Sequence, residues 1–204
     1  MIDSEKLLNA FKAIATVMAE QKTYLVELDQ RNGDGDLGIS MADGFAASCS
    51  ALWASSEKDL GKLCICAGKA FNEAAPSSLG TIISLCLMGM ARTLKGHEES
   101  DMALLGEALN AGMDKVMDKA GSKPGEKTIL DSVCPAIQAI TENADKDEKT
   151  VLEAAAKAAS DGAKSTADMI AVHGRAAYFG EKSIGLIDGG AEVGRIIFET
   201  LAGL

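Results

Sequence analysis

Aromatic residues make up only 4% of the chain, and prolines number three. A β-sandwich or barrel is built from β-branched and aromatic strands cut by turn residues, so this scarcity argues against an all-β fold. Basic charge is short as well: 20 lysines and arginines face 30 aspartates and glutamates, for a formal net charge of -10. Nucleic-acid grooves and anionic membrane surfaces both demand a basic face, so neither is an expected partner. A phosphate-bearing small molecule stays admissible where a cation mediates. The longest apolar stretch, Ile82 to Ala91, falls well short of the roughly 20 residues that span a bilayer. The opening Met1-Ile2-Asp3-Ser4-Glu5 is polar and acidic, without the basic and apolar segments of a secretion signal. Cysteines are five, an odd number, and sit mostly in apolar segments, as free thiols of a reducing compartment do. Cys64-x-Cys66 has no second pair and no neighbouring histidine, so it does not read as a zinc site. The expectation is a globular protein of the cytoplasm.

What the chain does have is helical periodicity nearly throughout. At 204 residues and 47% hydrophobic composition, it suits a single domain spanning residues 1–204 with a real core. Leu7, Leu8, Phe11, Ile14, Ala15 and Met18 follow one helical face after Ser4, a residue able to cap the start. Further helices are expected over Gly38–Ser55, Glu57 to about Phe71, from Pro76 onward, Asp101–Ala120, Glu126–Asn143, Lys149 to about Val172, and Gly190–Leu201. Pro76 suits a first helical turn, and Pro135 an early turn or a kink. Ala155, Ala159, Ala163 and Ala167 form a stripe of small residues that admits a close neighbour. Eight such helices, with no linker or composition shift between them, predict an all-α bundle.

Three segments are polar and glycine-rich where a helical protein needs only short turns: residues 28–38, 121–131 and 174–190. Polar loops beyond turn length are where sites lie. In an up-and-down bundle all three follow odd-numbered helices and fall at one end. The first places Asp29, Asp34 and Asp36 in eight residues, with Gly33 and Gly35 between them. Two carboxylates about 5 Å apart repel by roughly 3 kcal/mol at an effective dielectric of 20. Three that converge must splay, protonate or bind a cation, and oxygen ligands alone select magnesium or calcium. Gly38 opens a helix there, whose free N–H groups suit an anion. Aspartate and glycine also make plain solvated turns. A calcium loop starting at Asn32 fails because Leu37 stands where its glycine must be. Gly125-Glu126-Lys127-Thr128 has the wrong spacing for a P-loop, and no strand precedes it.

Taken together, Leu28-Asp29…Gly33-Asp34-Gly35-Asp36-x-Gly38…Met41, Pro124-Gly125-Glu126-Lys127-Thr128-Ile129-Leu130-Asp131 and Gly174-Arg175-Ala176-Ala177-Tyr178-Phe179-Gly180-Glu181-Lys182-Ser183-Ile184-Gly185 resemble the nucleotide-binding L subunit of dihydroxyacetone kinase. The resemblance covers nearly the whole chain, with its motifs in matching order. It implies a barrel of eight antiparallel helices with the nucleotide, ADP or ATP, at one end. It implies that Asp29, Asp34 and Asp36 hold two magnesium ions bridging the phosphates. Gly38, Ile39 and Ser40 would meet the phosphates at the helix start, Arg175 would lie near the nucleotide, and Gly121 and Ile129 would help wall the adenine pocket. Asp188, Gly189 and Gly190 would stand where the family usually has Asp-Pro-Gly.

The chain departs from that pattern in places. Leu37 replaces a frequent histidine, and Ala75-Pro76-Ser77-Ser78 replaces Ser-Gly-Pro before Leu79-Gly80-Thr81. Ser77 and Ser78 still offer hydroxyls and N–H groups to a phosphate at a helix start. His97 and His173 have no assignable acidic partner and read as surface residues, and Arg175 with Lys182 could be an ordinary surface pair. No catalytic nucleophile or hydroxyl-activating base is evident beyond the aspartates. The family places its substrate site, with a covalently engaging histidine, on a separate dihydroxyacetone-binding subunit. The resemblance thus implies a kinase half acting on dihydroxyacetone or a related small ketose or polyol. The donor is either exchangeable ATP or a resident ADP recharged by a phosphotransferase-system carrier protein. The same loops would also serve a regulatory protein that holds ADP and magnesium and acts on a transcription factor, and a metal-stabilised bundle binding no nucleotide is a third reading.

Overall fold

The computed structural model describes all residues, 1–204. Nine α-helices carry the fold: α1 (Ser4–Glu20), α2 (Lys22–Asp29), α3 (Leu37–Trp53), α4 (Leu60–Ala74), α5 (Ser78–Leu94), α6 (Met102–Ala120), α7 (Leu130–Glu142), α8 (Glu148–Ser165) and α9 (Gly189–Ala202). Apart from short α2, each long helix packs chiefly on its neighbours in sequence, and α9 returns to α1. Eight antiparallel helices therefore close into a ring, as the family resemblance implied. No helix is long and apolar enough to cross a membrane.

Local chemistry explains most boundaries. Asp3, Asp59, Ser77, Asp101, Asp147 and Asp188 each accept a first-turn N–H, capping α1, α4, α5, α6, α8 and α9. Two expectations shift accordingly. Asp3, not Ser4, caps α1, because its Oδ1 reaches the N–H groups of Glu5 and Lys6. Pro76 lies outside α5, because Ser77 takes the cap. The expected sixth helix starts four residues late, at Leu130, since Lys127 adopts a φ of 60°. The seventh ends early, at Ser165, and the chain beyond it runs through short 3-10 turns rather than on to Val172. A two-residue antiparallel pairing, Ile2 with Ser100 and Asp3 with Glu99, was not foreseen; it ties the N-terminus to the α5–α6 connection.

The core forms two groups. One gathers Phe11, Phe45, Phe71 and their neighbours from α1, α3, α4 and α5; the other gathers Val116, Leu130, Ile137, Ile140 and Val151 from α6, α7 and α8. Phe45 and Phe71 meet edge to face, with ring centroids 5.0 Å apart. Ala155, Ala159 and Ala163 are fully buried, so the small-residue stripe does face a neighbour. A Cβ on Gly162 would collide with the Asp131 carbonyl, which is how near α7 lies to α8. The ring holds a half-open apolar cavity of about 1320 Å³, lined by residues such as Phe11, Phe45, Leu87, Met113 and Val133. With alternating helix directions, residues 30–36, 75–77, 121–129 and 166–188 all connect helices at one end of the ring.

Candidate nucleotide and metal site

The acidic loop begins as α2 ends. The Asp29 carbonyl accepts from Asn32 N at 3.2 Å and Gly33 N at 2.6 Å, which turns the chain sharply. Gly33 then lies so close that a Cβ there would collide with the Asp29 carboxylate. Gly35, at φ 80°, takes the left-handed conformation that side chains rarely adopt. Its N–H donates to Asp29 Oδ2 at 2.8 Å, and Leu37 N reaches the same oxygen at 3.4 Å. One oxygen of Asp29 thus organises the loop and the other is left for a ligand.

Asp29, Asp34 and Asp36 each present a carboxylate oxygen within 4.8 Å of the other two. Burial, then the charges of Asp34 and Asp29, push the Asp36 carboxyl above its ordinary range. Unlike the caps of six other helices, Asp36 makes no side-chain bond to the helix it precedes, α3. Its oxygens and the first N–H groups of α3 face the same problem of unneutralised charge, and a divalent cation with an anion answers both. The all-oxygen donor set fits magnesium or calcium.

Other elements converge here. Arg175 Nη2 lies 2.6 Å from Asp34 Oδ2, so the loop before α9 meets the acidic loop. Arg175 is therefore no ordinary surface pair with Lys182. A Cβ on Gly189 would lie 2.6 Å from Leu37 Cδ2, so the start of α9 packs on the start of α3. Gly190 sits against Ile129 in the same way, with 3.3 Å from a built Cβ to the Ile129 N. Gly121 ends α6 at φ 70° with nothing within 4 Å of where a Cβ would lie, whereas the Ile129 side chain is buried in the second core group.

Several of the expected phosphate contacts have structural work of their own. Gly38 is as small as it is because a Cβ would collide with the Lys22 carbonyl of α2. Ile39 is exposed and Ser40 half-buried on the same first turn. Ser77 Oγ accepts from Gly80 N at 3.1 Å, and Ser78 follows as the first residue of α5. Asp188 Oδ1 accepts from Ala191 N at 2.8 Å, and its own N–H donates to Thr166 Oγ1 at 2.9 Å. The Asp188 carboxyl is pushed up to about 6, first by burial and then by Asp131.

Sequence reasoning missed two adjacent residues. Glu126 Oε2 lies 2.6 Å from His173 Nε2, so His173 does have an acidic partner, supplied by a loop 47 residues away. Lys127 is 1% exposed, and its amine donates to the carbonyls of Met169, Ser183 and Leu186. Burial pulls that ammonium below its ordinary range, with Asp188 and Asp168 opposing. Asp131 is also buried and accepts from Gly125 N and, at 2.7 Å, from Thr128 N. The signal was the run Gly125 to Asp131 itself: charged residues packed between glycine and an apolar helix start need partners when buried.

A family profile described as the DAK2 domain matches residues 32–203. The PEP-dependent dihydroxyacetone kinase ADP-binding subunit DhaL of Escherichia coli is 27% identical over 97% of this chain and 95% of its own length. Its counterpart in Listeria innocua, from dihydroxyacetone kinase 1, is 31% identical over 89% of this chain and 87% of its own. An L-erythrulose 1-kinase of Mycolicibacterium smegmatis is 30% identical over 86% of this chain, which spans only 31% of that longer protein. The crystal structure of the C. freundii dihydroxyacetone kinase with AMP-PNP and Mg2+ superposes on 96% of this chain, and on 33% of its own, with a TM-score of 0.77 at 24% identity, a likeness of fold. The extent of these matches settles the family: the chain belongs to the DAK2 domain family.

Proposed function

We propose that this chain is the ADP- and magnesium-binding subunit of a dihydroxyacetone-type kinase, passing a phosphoryl group to a small ketose or polyol held by a partner subunit. The observation that carries the reading is the meeting of three carboxylate oxygens within 4.8 Å of one another at an α3 start whose cap residue keeps its side chain free. Asp29, Asp34 and Asp36 would hold the magnesium, as two ions when the nucleotide is bound. Magnesium supplies neutralisation of phosphate charge as the phosphoryl group moves. The first-turn N–H groups of α3 orient the phosphates, and Arg175 adds positive charge from the opposite loop. The partner subunit would supply the acceptor together with the group that activates its hydroxyl.

The relatives that this chain matches nearly end to end are named ADP-binding subunits of PEP- or PTS-dependent kinases. This supports a nucleotide that stays bound and is recharged by a phosphocarrier protein, in preference to ATP exchanged at each turnover. Native mass spectrometry of the purified protein should show a retained ADP mass. Calorimetry on the stripped protein should show ADP binding only with magnesium, weakened at least tenfold by Asp34→Asn or Asp36→Asn, as loss of a charged ligand implies. Equal ADP binding with and without magnesium would end the reading.

A further inference from the structure

Arg175 reaches Asp34 from the loop between Met169 and Leu186, and that loop has little apolar burial to hold it in place. Ile170, Val172, Tyr178, Phe179 and Ile184 are all exposed, Tyr178 at 91%. Polar contacts hold it instead. Within the loop, Gly185 N donates to Ala167 O at 2.7 Å, and Ala171 N to Ser183 Oγ at 3.0 Å, joining its two stems. From outside come Glu126 and Lys127. Glu126 holds the entry stem through His173, and its carbonyl accepts from Val172 N at 3.4 Å.

Lys127 holds both stems at once. Its amine donates to Met169 O at 3.2 Å on the way in, and to Ser183 O at 2.6 Å and Leu186 O at 2.7 Å on the way out. An ammonium has three protons, and here all three are placed. Since the residue is 1% exposed, this lysine is not free to bind a phosphate. Lys127 also carries the one positive φ outside glycine, 60°, a conformation that persists only where surroundings enforce it. The acidic groups facing it are Asp188 and Asp168.

We propose that Lys127 is a positioning residue for the nucleotide: by gripping both stems of the 169–186 loop, it fixes Arg175 at the mouth of the acidic site. The proposal rests on the nucleotide reading above. Without the grip, the loop keeps its internal bonds and the Glu126 tie on its entry stem, but its exit stem loses its tie to the α6–α7 connection, and Arg175 no longer occupies one place. Cation placement is worth binding energy only while it is preorganised, so the contribution of Arg175 depends on Lys127.

A double-mutant cycle on the full chain tests this, reading the ADP dissociation constant by calorimetry with magnesium present. Arg175→Ala should weaken ADP about tenfold, the worth of one charge-assisted contact. Lys127→Met should weaken it by a similar factor, and the double variant should be no more than about twofold weaker than Lys127→Met. A merely structural lysine would lower the melting temperature and leave these constants multiplying independently, and that outcome overturns the proposal. So does unchanged ADP affinity in a folded Lys127→Met. Hydrogen exchange on the nucleotide-free proteins reads the grip directly. The amides of Ala171 and Gly185, which join the stems, should exchange at least tenfold faster in Lys127→Met than in wild type, because stems no longer held by the amine open more often, and unchanged rates in a folded Lys127→Met overturn the grip. If the wild type gives no binding heat with ADP, the nucleotide reading fails, while the exchange result still decides whether Lys127 pins the loop.

Discussion

At the scale of single residues, Asp188 shows how a site residue can serve the fold at a cost. Its carboxylate caps α9, yet burial and the nearby Asp131 raise its folded-state value to about 6 from an ordinary 3.8. The sign follows from proton binding. The folded chain holds the Asp188 proton more tightly than the unfolded chain, so this residue's contribution to stability falls as pH rises from about 4 to about 6. Asp188→Asn keeps a capping oxygen and removes the charge. The variant should be more stable than wild type by about 1–3 kcal/mol at pH 7.5, a gain that vanishes near pH 4. Thermal melts of the nucleotide-free proteins across that range check it, and a pH-independent difference would refute the burial argument. The reason for retaining aspartate would then be sought at the ligand. Nothing in the Asp-Gly-Gly motif marks this carboxylate as desolvated; only the closed ring, which brings Asp131 and Lys127 beside it, does.

At the scale of elements, α2 shows what sequence periodicity conceals. The pattern from Leu7 to Met18 gives α1 correctly, but the chain breaks at Gln21 and starts a separate helix that ends on Asp29. Its tie to the ring includes one long-range bond: Tyr24 Oη donates to Glu192 Oε1 at 2.7 Å, between α2 and α9. Glu192 is 3% exposed; burial works against its charge, and Arg195 and Tyr24 outweigh that, holding it below the usual carboxylate range. The Tyr24 phenol is pushed up to about 12, first by burial and then by Glu192. Tyr24→Phe removes one donor from a buried charge and should cost about 1–3 kcal/mol of stability. Because α2 ends on Asp29, one of the proposed magnesium ligands, the same variant should also weaken magnesium binding, measured by calorimetry. Unchanged magnesium affinity would show that the acidic loop is held by α3 alone. Gly38 reports on that second support. A Cβ there collides with the Lys22 carbonyl, so Gly38→Ala must push α2 and α3 apart and should lower both stability and magnesium affinity.

At the scale of the molecule, the eight long helices and the end where the polar loops gather were legible in the sequence, because 3.6-residue periodicity and alternating direction fix them, whereas closure into a ring was implied by the family resemblance alone. The meeting of the three aspartates was legible too, since eight residues with two glycines bring their carboxylates together. Glu126–His173, the Lys127 grip and the Arg175–Asp34 pair were not, because each joins segments that only the closed ring brings together. Closure makes a further demand. The core falls into two groups, one on the α3–α5 side and one on the α6–α8 side, but Leu79, Cys86, Leu105, Leu109 and Leu201 pack against both. With α9 also returning to α1, neither half has an apolar face it can bury without the other, so residues 1–204 should unfold as one cooperative unit. Phe71→Ala discriminates. Phe71 is fully buried on α4 within the first group, and its truncation should cost about 3–5 kcal/mol. In one cooperative unit, hydrogen exchange under mild denaturant loses that same stability at Leu63 on α4 and at Ile137 on α7, far from the substitution. If Ile137 keeps its wild-type protection while Leu63 loses it, the ring is two units sharing a seam, and residues 1–204 are not a single domain.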